Sequence, residues 1–299
     1  MLVRVFLVLA AGATLAGCGS SAAPPQRSAL DIPRLRFGYD ASAPLRYVDR
    51  GRVNAPAEQV AVHDVSFRSG NIRIDGYLVL PARRGRRPAV VVVHGSGGDR
   101  RELLPQAKRL AAERRIVVLT ITEPSTSHPP GPVGTVEAFL AQARATQVRD
   151  VVAVRRAVDV LQTLRQVDPR RIGYLGWSAG AKNGIFVAAA EPRVRAFVLL
   201  SAGADPVSAF VAQAPPGTHA EVRRVLGSID PLRYVARARP GSLLLEDGTR
   251  DEVVPRRALL NVVHAAPSGT TVRWFAAHHA LNDAAYETAF AWLATRLHP

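Results

Sequence analysis

The 299 residues, 47% of them hydrophobic and 21% charged, exceed what one small domain needs and are too apolar for a chain disordered throughout. The formal net charge is +15, with 37 of the 39 basic residues being arginine, a balance that draws the protein toward anionic surfaces and polymers. The arginines are scattered in pairs such as Arg155-Arg156 and Arg256-Arg257, with no zinc motif, basic zipper or aromatic RNA-binding strand, so specific nucleic-acid recognition is not expected.

Residues 1–17 combine one arginine, an apolar run over 5–15 and then small residues, the layout of a secretory signal too short to span a membrane stably. Leu15-Ala16-Gly17-Cys18 resembles the bacterial lipobox, in which cleavage precedes the cysteine and the sulfur is lipidated. Cys18 is the sole cysteine, so it has no intramolecular disulfide partner. An export signal over 1–17, a lipidated Cys18 and attachment at the outer face of a bacterial membrane are the expectation. Residues 18–56, rich in Ser, Ala and Pro at their start, read as a tether whose later part, around 37–48, packs on the body.

From residue 57 the chain reads as alternating strands and helices. Residues 60–67 and 72–80, joined by Ser69-Gly70-Asn71, form an antiparallel hairpin, and 89–93 is a continuous apolar run suited to a strand buried on both faces. Helical spacing follows at Leu103, Ala107, Leu110 and Ala111, then a strand at 116–121 and a proline-rich loop over 123–133 expected to wall a pocket. Val151, Val154, Val158 and Leu161 mark a helix, 171–175 a strand and 182–190 a small-residue helix. Further strands are expected at 196–200, 242–245 and 271–275, with a final helix lined by Tyr286, Phe290, Leu293 and Leu297. Residues 205–240 hold one or two helices read as a small lid. The pattern implies an α/β fold with a mainly parallel, doubly wound sheet and active groups at the strand C-terminal ends.

Three such ends carry chemistry. Gly176-Trp177-Ser178-Ala179-Gly180 fits G-x-S-x-G between a strand and a helix, where a tight turn lifts a serine hydroxyl toward solvent. A serine needs a base, and the base needs an acid to hold its tautomer. Asp251 follows the strand at 242–245 and His279 the strand at 271–275, giving the order Ser, Asp, His. His94-Gly95-Ser96-Gly97-Gly98 closes the first buried strand; with no G-x-x-x-x-G-K-[ST] it is not read as a phosphate loop.

On HGSGG at 94–98, the elbow at 176–180, GTRDEVVP at 248–255 and HHAL at 278–281, the chain resembles the α/β-hydrolases over residues 60–297, nearer to dienelactone-hydrolase-like and acyl-peptidase-like serine esterases than to large lipases. The resemblance implies Ser178 as nucleophile, His279 as base and Asp251 as acid, with Asp205 and Asp247 as rival acids and His278 as rival base. It also implies an oxyanion hole from the backbone N–H groups of Ser96 and Ala179, with Gly97 second to Ser96. His94 shapes the loop. No cofactor is expected, and the eight histidines show no metal-binding spacing. The expected activity is carboxylic ester hydrolysis of small substrates through an acyl-enzyme, with acyl transfer to another alcohol or a catalytically silent binding role as the alternatives.

Overall fold

The computed structural model describes residues 37–56, 58–82 and 85–298, so the expected signal segment and Cys18 lie outside the described residues. Its elements, in chain order, are β1 (Val48–Arg52), β2 (Val60–Ser69), β3 (Ile72–Pro81), β4 (Arg87–Val93), α1 (Leu104–Arg114), β5 (Val117–Ile121), α2 (Pro124–Ser127), α3 (Val136–Thr163), β6 (Val167–Trp177), α4 (Ala179–Ala190), β7 (Val194–Leu200), α5 (Val207–Gln213), α6 (His219–Ser228), α7 (Pro231–Val235), β8 (Leu243–Gly248), α8 (Arg256–Ala265), β9 (Thr271–Phe275) and α9 (Asp283–Leu297).

The strands form one sheet in the order β1-β2-β3-β5-β4-β6-β7-β8-β9. β1, β2 and β3 pair antiparallel, as does β3 with β5; every pairing from β5 to β9 is parallel. This is the α/β-hydrolase fold that the motifs imply. β4 explains the two-sided covering: Ala89, Val91 and Val93 enter the core beneath α3 and α4, while Val90 and Val92 enter the core beneath α1 and α9. Alternate residues on both faces must be apolar, hence the unbroken run. The 60–69/72–81 hairpin pairs Ser69 with Ile72 around Gly70, whose φ of +60° suits a residue without Cβ.

Several elements differ from the sequence reading. The packing expected around 37–48 is present, with Phe37 buried against the rings of Phe186 and Tyr234 at 5.6 and 5.5 Å, but the strand β1, which pairs with β2 inside the span read as a tether, is absent from that reading. The helix expected near 151–161 is the second half of α3, which starts fifteen residues earlier, where Thr135 Oγ1 accepts the Ala138 N–H at 3.1 Å. That first half leaves the sheet: Leu140 packs with Val211 of α5 and with Val222 and Val225 of α6. The 205–240 span folds into α5, α6 and α7, and the proline-rich loop contains the short α2. Among the described residues no helix is long and apolar enough to cross a membrane.

Candidate active site

Strand β6 ends at Trp177 and α4 begins at Ala179, so Ser178 alone makes the turn. Its φ of +55° and ψ of −112° lie where a residue with a side chain is strained. The strain is held by the surroundings: Ser178 N–H donates to Leu200 O at 2.9 Å and Gly180 N–H to His94 O at 3.0 Å. The flanking glycines are sterically required. A Cβ on Gly176 would stand 2.5 Å from the Gly180 carbonyl, and one on Gly180 would stand 2.5 Å from the Val93 oxygen.

Two loops bring the partners to this turn. Ser178 Oγ–H points to Nε2 of His279 at 2.9 Å, and His279 Nδ1–H points to Asp251 Oδ2 at 2.8 Å. The other carboxylate oxygen of Asp251 accepts the N–H groups of Val253 and Val254 at 2.9 and 2.8 Å, which fixes its orientation. The His279 carbonyl accepts from Trp177 Nε1 at 3.0 Å and from Ser201 Oγ at 3.1 Å, tying the β9–α9 loop to the strand ends. Gly248 gives that loop room, since a Cβ there would meet the His278 oxygen at 2.5 Å. Asp251 and His279 are almost fully buried, so little water competes for their hydrogen bonds.

The rivals stand elsewhere. His278 is exposed and faces Glu252 at 3.1 Å; the same Glu252 oxygen accepts the His279 N–H at 3.2 Å. Asp205 pairs with Arg257 at 3.4 Å. Asp247 is buried behind Asp251, and desolvation together with the Asp251 charge pushes its carboxyl up to about 7.

The HGSGG loop is pinned at both ends. His94 Nδ1–H donates to Gly95 O at 2.7 Å, leaving Nε2 to accept the Glu123 N–H at 3.0 Å, and Gly95 N–H donates to Glu102 at 2.8 Å. His94 thus shapes the loop. Ser96 and Ala179 line one cleft of about 970 Å³, and no protein acceptor among the described residues takes their N–H groups. Gly97 lines it too, in a left-handed conformation with φ of +74°. The proline-rich segment supplies wall through Pro129 and Pro130, and the 205–240 segment supplies Phe210 and Leu226.

Sequence reasoning missed the polar side of this cleft. Asn183 Nδ2 donates to the buried Glu123 at 2.7 Å and its oxygen accepts from Gln147 at 2.6 Å, while Asp150 accepts the Ser125 N–H at 2.9 Å. Lys182, one helical turn beyond Ser178, lies on the same side. The four-residue spacing was the available signal for that lysine; the others meet only through the fold. Among the described residues no group of three or more His, Cys, Asp and Glu side chains is placed to hold a metal ion.

The arrangement can pass a proton from a hydroxyl to an imidazole while a buried carboxylate holds the imidazole in place, beside two free N–H donors facing an open cleft. The known proteins that the chain resembles are named as esterases. The chain is 28% identical over 238 residues to "Putative esterase NocK" of Nocardia uniformis subsp. tsuyamanensis, covering 77% of this chain and 64% of that protein. This chain thus spans under two thirds of the length of that curated relative. In structure it resembles acetyl xylan esterase 1 from Thermoanaerobacterium sp. JW/SL YS485, with a TM-score of 0.70 at 16% identity over 85% of this chain and 89% of the other. It also resembles the acetyl xylan esterase from Paenibacillus sp. R4, with a TM-score of 0.67 at 17% identity over 85% and 90%. The model of the acetyl xylan esterase (AXE1) family matches residues 46–201, a span that includes Ser96, Ser178 and Ala179 and ends before Asp251 and His279. The chain belongs to the acetyl xylan esterase (AXE1) family.

Proposed function

We propose that this protein is a serine carboxylester hydrolase that works through an acyl-enzyme on Ser178. The observation that carries the reading is the continuous chain Ser178 Oγ–His279–Asp251, with links of 2.9 and 2.8 Å, at the edge of an open cleft. As Oγ bonds to the ester carbonyl carbon, His279 Nε2 takes its proton, and the imidazolium formed is stabilised by the Asp251 carboxylate. The carbonyl oxygen gains negative charge, and the Ser96 and Ala179 N–H groups are the donors available to it, each contributing about 3 kcal/mol in comparable sites. Collapse of the tetrahedral intermediate breaks the ester C–O bond, and His279 returns its proton to the leaving alcohol. Water then attacks the acyl carbon with His279 again as base, releasing the carboxylic acid and restoring the serine.

Within this reading the substrates are small esters, in keeping with a lid of only three short helices. The protein is exported and held at the outer face of a bacterial membrane by lipid on Cys18, a reading supported by the lipobox-like Leu15-Ala16-Gly17-Cys18. Two acyl chains suffice for stable anchoring at ~0.8 kcal/mol per buried methylene.

A fluorophosphonate probe and p-nitrophenyl acetate test the chemistry. The wild type is labelled and turns over the ester; Ser178→Ala loses the label and at least 10³-fold of the rate. An unlabelled folded wild type, or unchanged turnover in the variant, rejects the reading. Transfer of the acetyl group to an added acceptor alcohol in preference to water would make the protein an acyltransferase instead. Mass spectrometry of the membrane-extracted protein tests the anchor: an unmodified Cys18 in the mature chain rejects it.

A further inference from the structure

The cleft contains a charge that the reaction does not use. Lys182 is the one lysine or arginine lining the cleft among the described residues. Its N–H donates to Ser178 O at 2.9 Å, which puts it one turn along α4, roughly 6 Å of rise from the serine. Its side chain opens into the cleft rather than packing against a partner. Among the described residues no acceptor lies within hydrogen-bonding or ion-pairing reach of Nζ.

The carboxyl groups around the cleft are, by contrast, occupied. Glu123 receives Asn183, Asp150 receives the Ser125 N–H, Asp230 receives the Leu232 N–H at 3.0 Å, and Asp205 faces Arg257. Burial pushes the carboxyls of Glu123, Asp150 and Asp230 above their ordinary range, which weakens the negative charge they present to the lysine. Lys182 itself is exposed to the cleft, and the protein atoms around it lower its pKa despite the opposing pull of Glu123 and Asp150.

The ammonium is exposed to the cleft without a hydrogen-bonded protein partner among the described residues, and it sits in the first turn of a twelve-residue helix, whose N-terminal dipole repels cations. An anion that enters the cleft is attracted by both, because the dipole and the ammonium then act together. The net charge of +15 draws anions toward the protein at longer range.

We propose that Lys182 is a specificity-determining residue that binds a carboxylate carried by the substrate, so that the preferred esters of this site are anionic ones. The proposal rests on the reading of Ser178 as nucleophile. A carboxylate on either the acyl or the alcohol portion has the required chemistry, and two matched pairs of esters separate the sources. For the acyl side the pair is p-nitrophenyl hemisuccinate and p-nitrophenyl butyrate, which differ by a carboxylate in place of a methyl group. For the alcohol side it is 4-acetoxybenzoate and p-tolyl acetate.

The measured quantity is the ratio of kcat/KM for the charged member to that for the neutral member. This ratio falls at least tenfold in Lys182→Met for one of the two pairs, and Lys182→Arg, which keeps the charge, retains more of it than Lys182→Met does. A lysine that merely supports the fold would depress both members alike and leave the ratio standing. A change below tenfold in both pairs overturns the proposal. Fluorophosphonate labelling of Ser178 in each preparation shows that the site is intact and separates the two layers of argument. Labelled proteins with unresponsive ratios overturn the role of Lys182 alone; an unlabelled wild type removes the esterase reading and this inference with it.

Discussion

Glu246, on the strand next to the β9 edge of the sheet, makes stability depend on pH in a direction opposite to that of most paired carboxylates. It lies on β8 beside Asp247, is fully buried, and neither of its carboxyl oxygens has a hydrogen-bond partner among the described residues. Desolvation, with the neighbouring Asp247 charge second and Arg273 opposing, pushes its pKa from the ordinary 4.5 up to about 8. A raised folded-state pKa means that the fold accepts the neutral acid. The contribution is fully present below pH 4.5 and is lost as the pH climbs through 8. At ~1.4 kcal/mol per pH unit the complete loss is about 5 kcal/mol. Glu246→Gln has nearly the same shape and never ionises, so its stability relative to the wild type rises by about 4 kcal/mol between pH 5 and pH 9. A domain of this size shifts its Tm by ~2–4 °C per kcal/mol, which makes the gain on the order of 10 °C. Scanning calorimetry of both proteins at the two pH values measures it. A Tm difference that is the same at pH 5 and pH 9 would refute the argument.

Three further outcomes are expected. Gly180→Ala places a methyl 2.5 Å from the Val93 oxygen and 2.7 Å from the His94 oxygen, both backbone atoms, and costs about 1–3 kcal/mol, whereas Gly134→Ala, with open space around it, stays within ~0.5 kcal/mol; equal melting temperatures for the pair would contradict the steric account. Asp251→Asn leaves the fold intact but favours the wrong imidazole tautomer, and kcat for p-nitrophenyl acetate drops about 10⁴-fold; retention of a tenth of the rate would assign the acid elsewhere. Phe37→Ala removes a ring packed between Phe186 and Tyr234 and costs about 3–5 kcal/mol in urea unfolding, against no measurable change if residues before β1 contribute nothing to the body.

Much of this molecule was legible because its strongest signals are local. The run Ala89-Val90-Val91-Val92-Val93 has one structural use, and the glycine at 176 is required by the turn's own backbone, while the one at 180 is required by the approach of Val93 and His94 at the end of that run. β1 escaped notice because Val48, Asp49, Arg50 and Arg52 are all exposed; it is a strand through its hydrogen bonds to β2, not through any apolar pattern. The first half of α3 was hidden for a related reason. Leu140 answers to α5 and α6, elements that the sequence pattern places only loosely, and the proline-rich stretch before it masks where the helix begins. His278 and His279 are equal in sequence; only the fold turns one toward Asp251 and the other toward Glu252. Lys182 is ordinary as a helical lysine, and Glu246 as a charge near a strand end. The cleft that Lys182 faces and the burial of Glu246 are properties of what other segments bring around them.

Residues 37–39 meet the body at the opposite end of β7 from the Ser178 turn. Tyr39 donates to Asp159 at 2.9 Å and accepts from Arg193 at 3.0 Å, and Arg193 immediately precedes β7. The far end of that same strand, Leu200, is the residue whose carbonyl holds the Ser178 turn. Seven residues of extended chain, roughly 20 Å, therefore separate the Tyr39 contact from the Ser178 turn. A load applied at residue 37 would fall first on the rings of Phe186 and Tyr234 and on the Arg193 pair, ahead of the loops that carry Asp251 and His279.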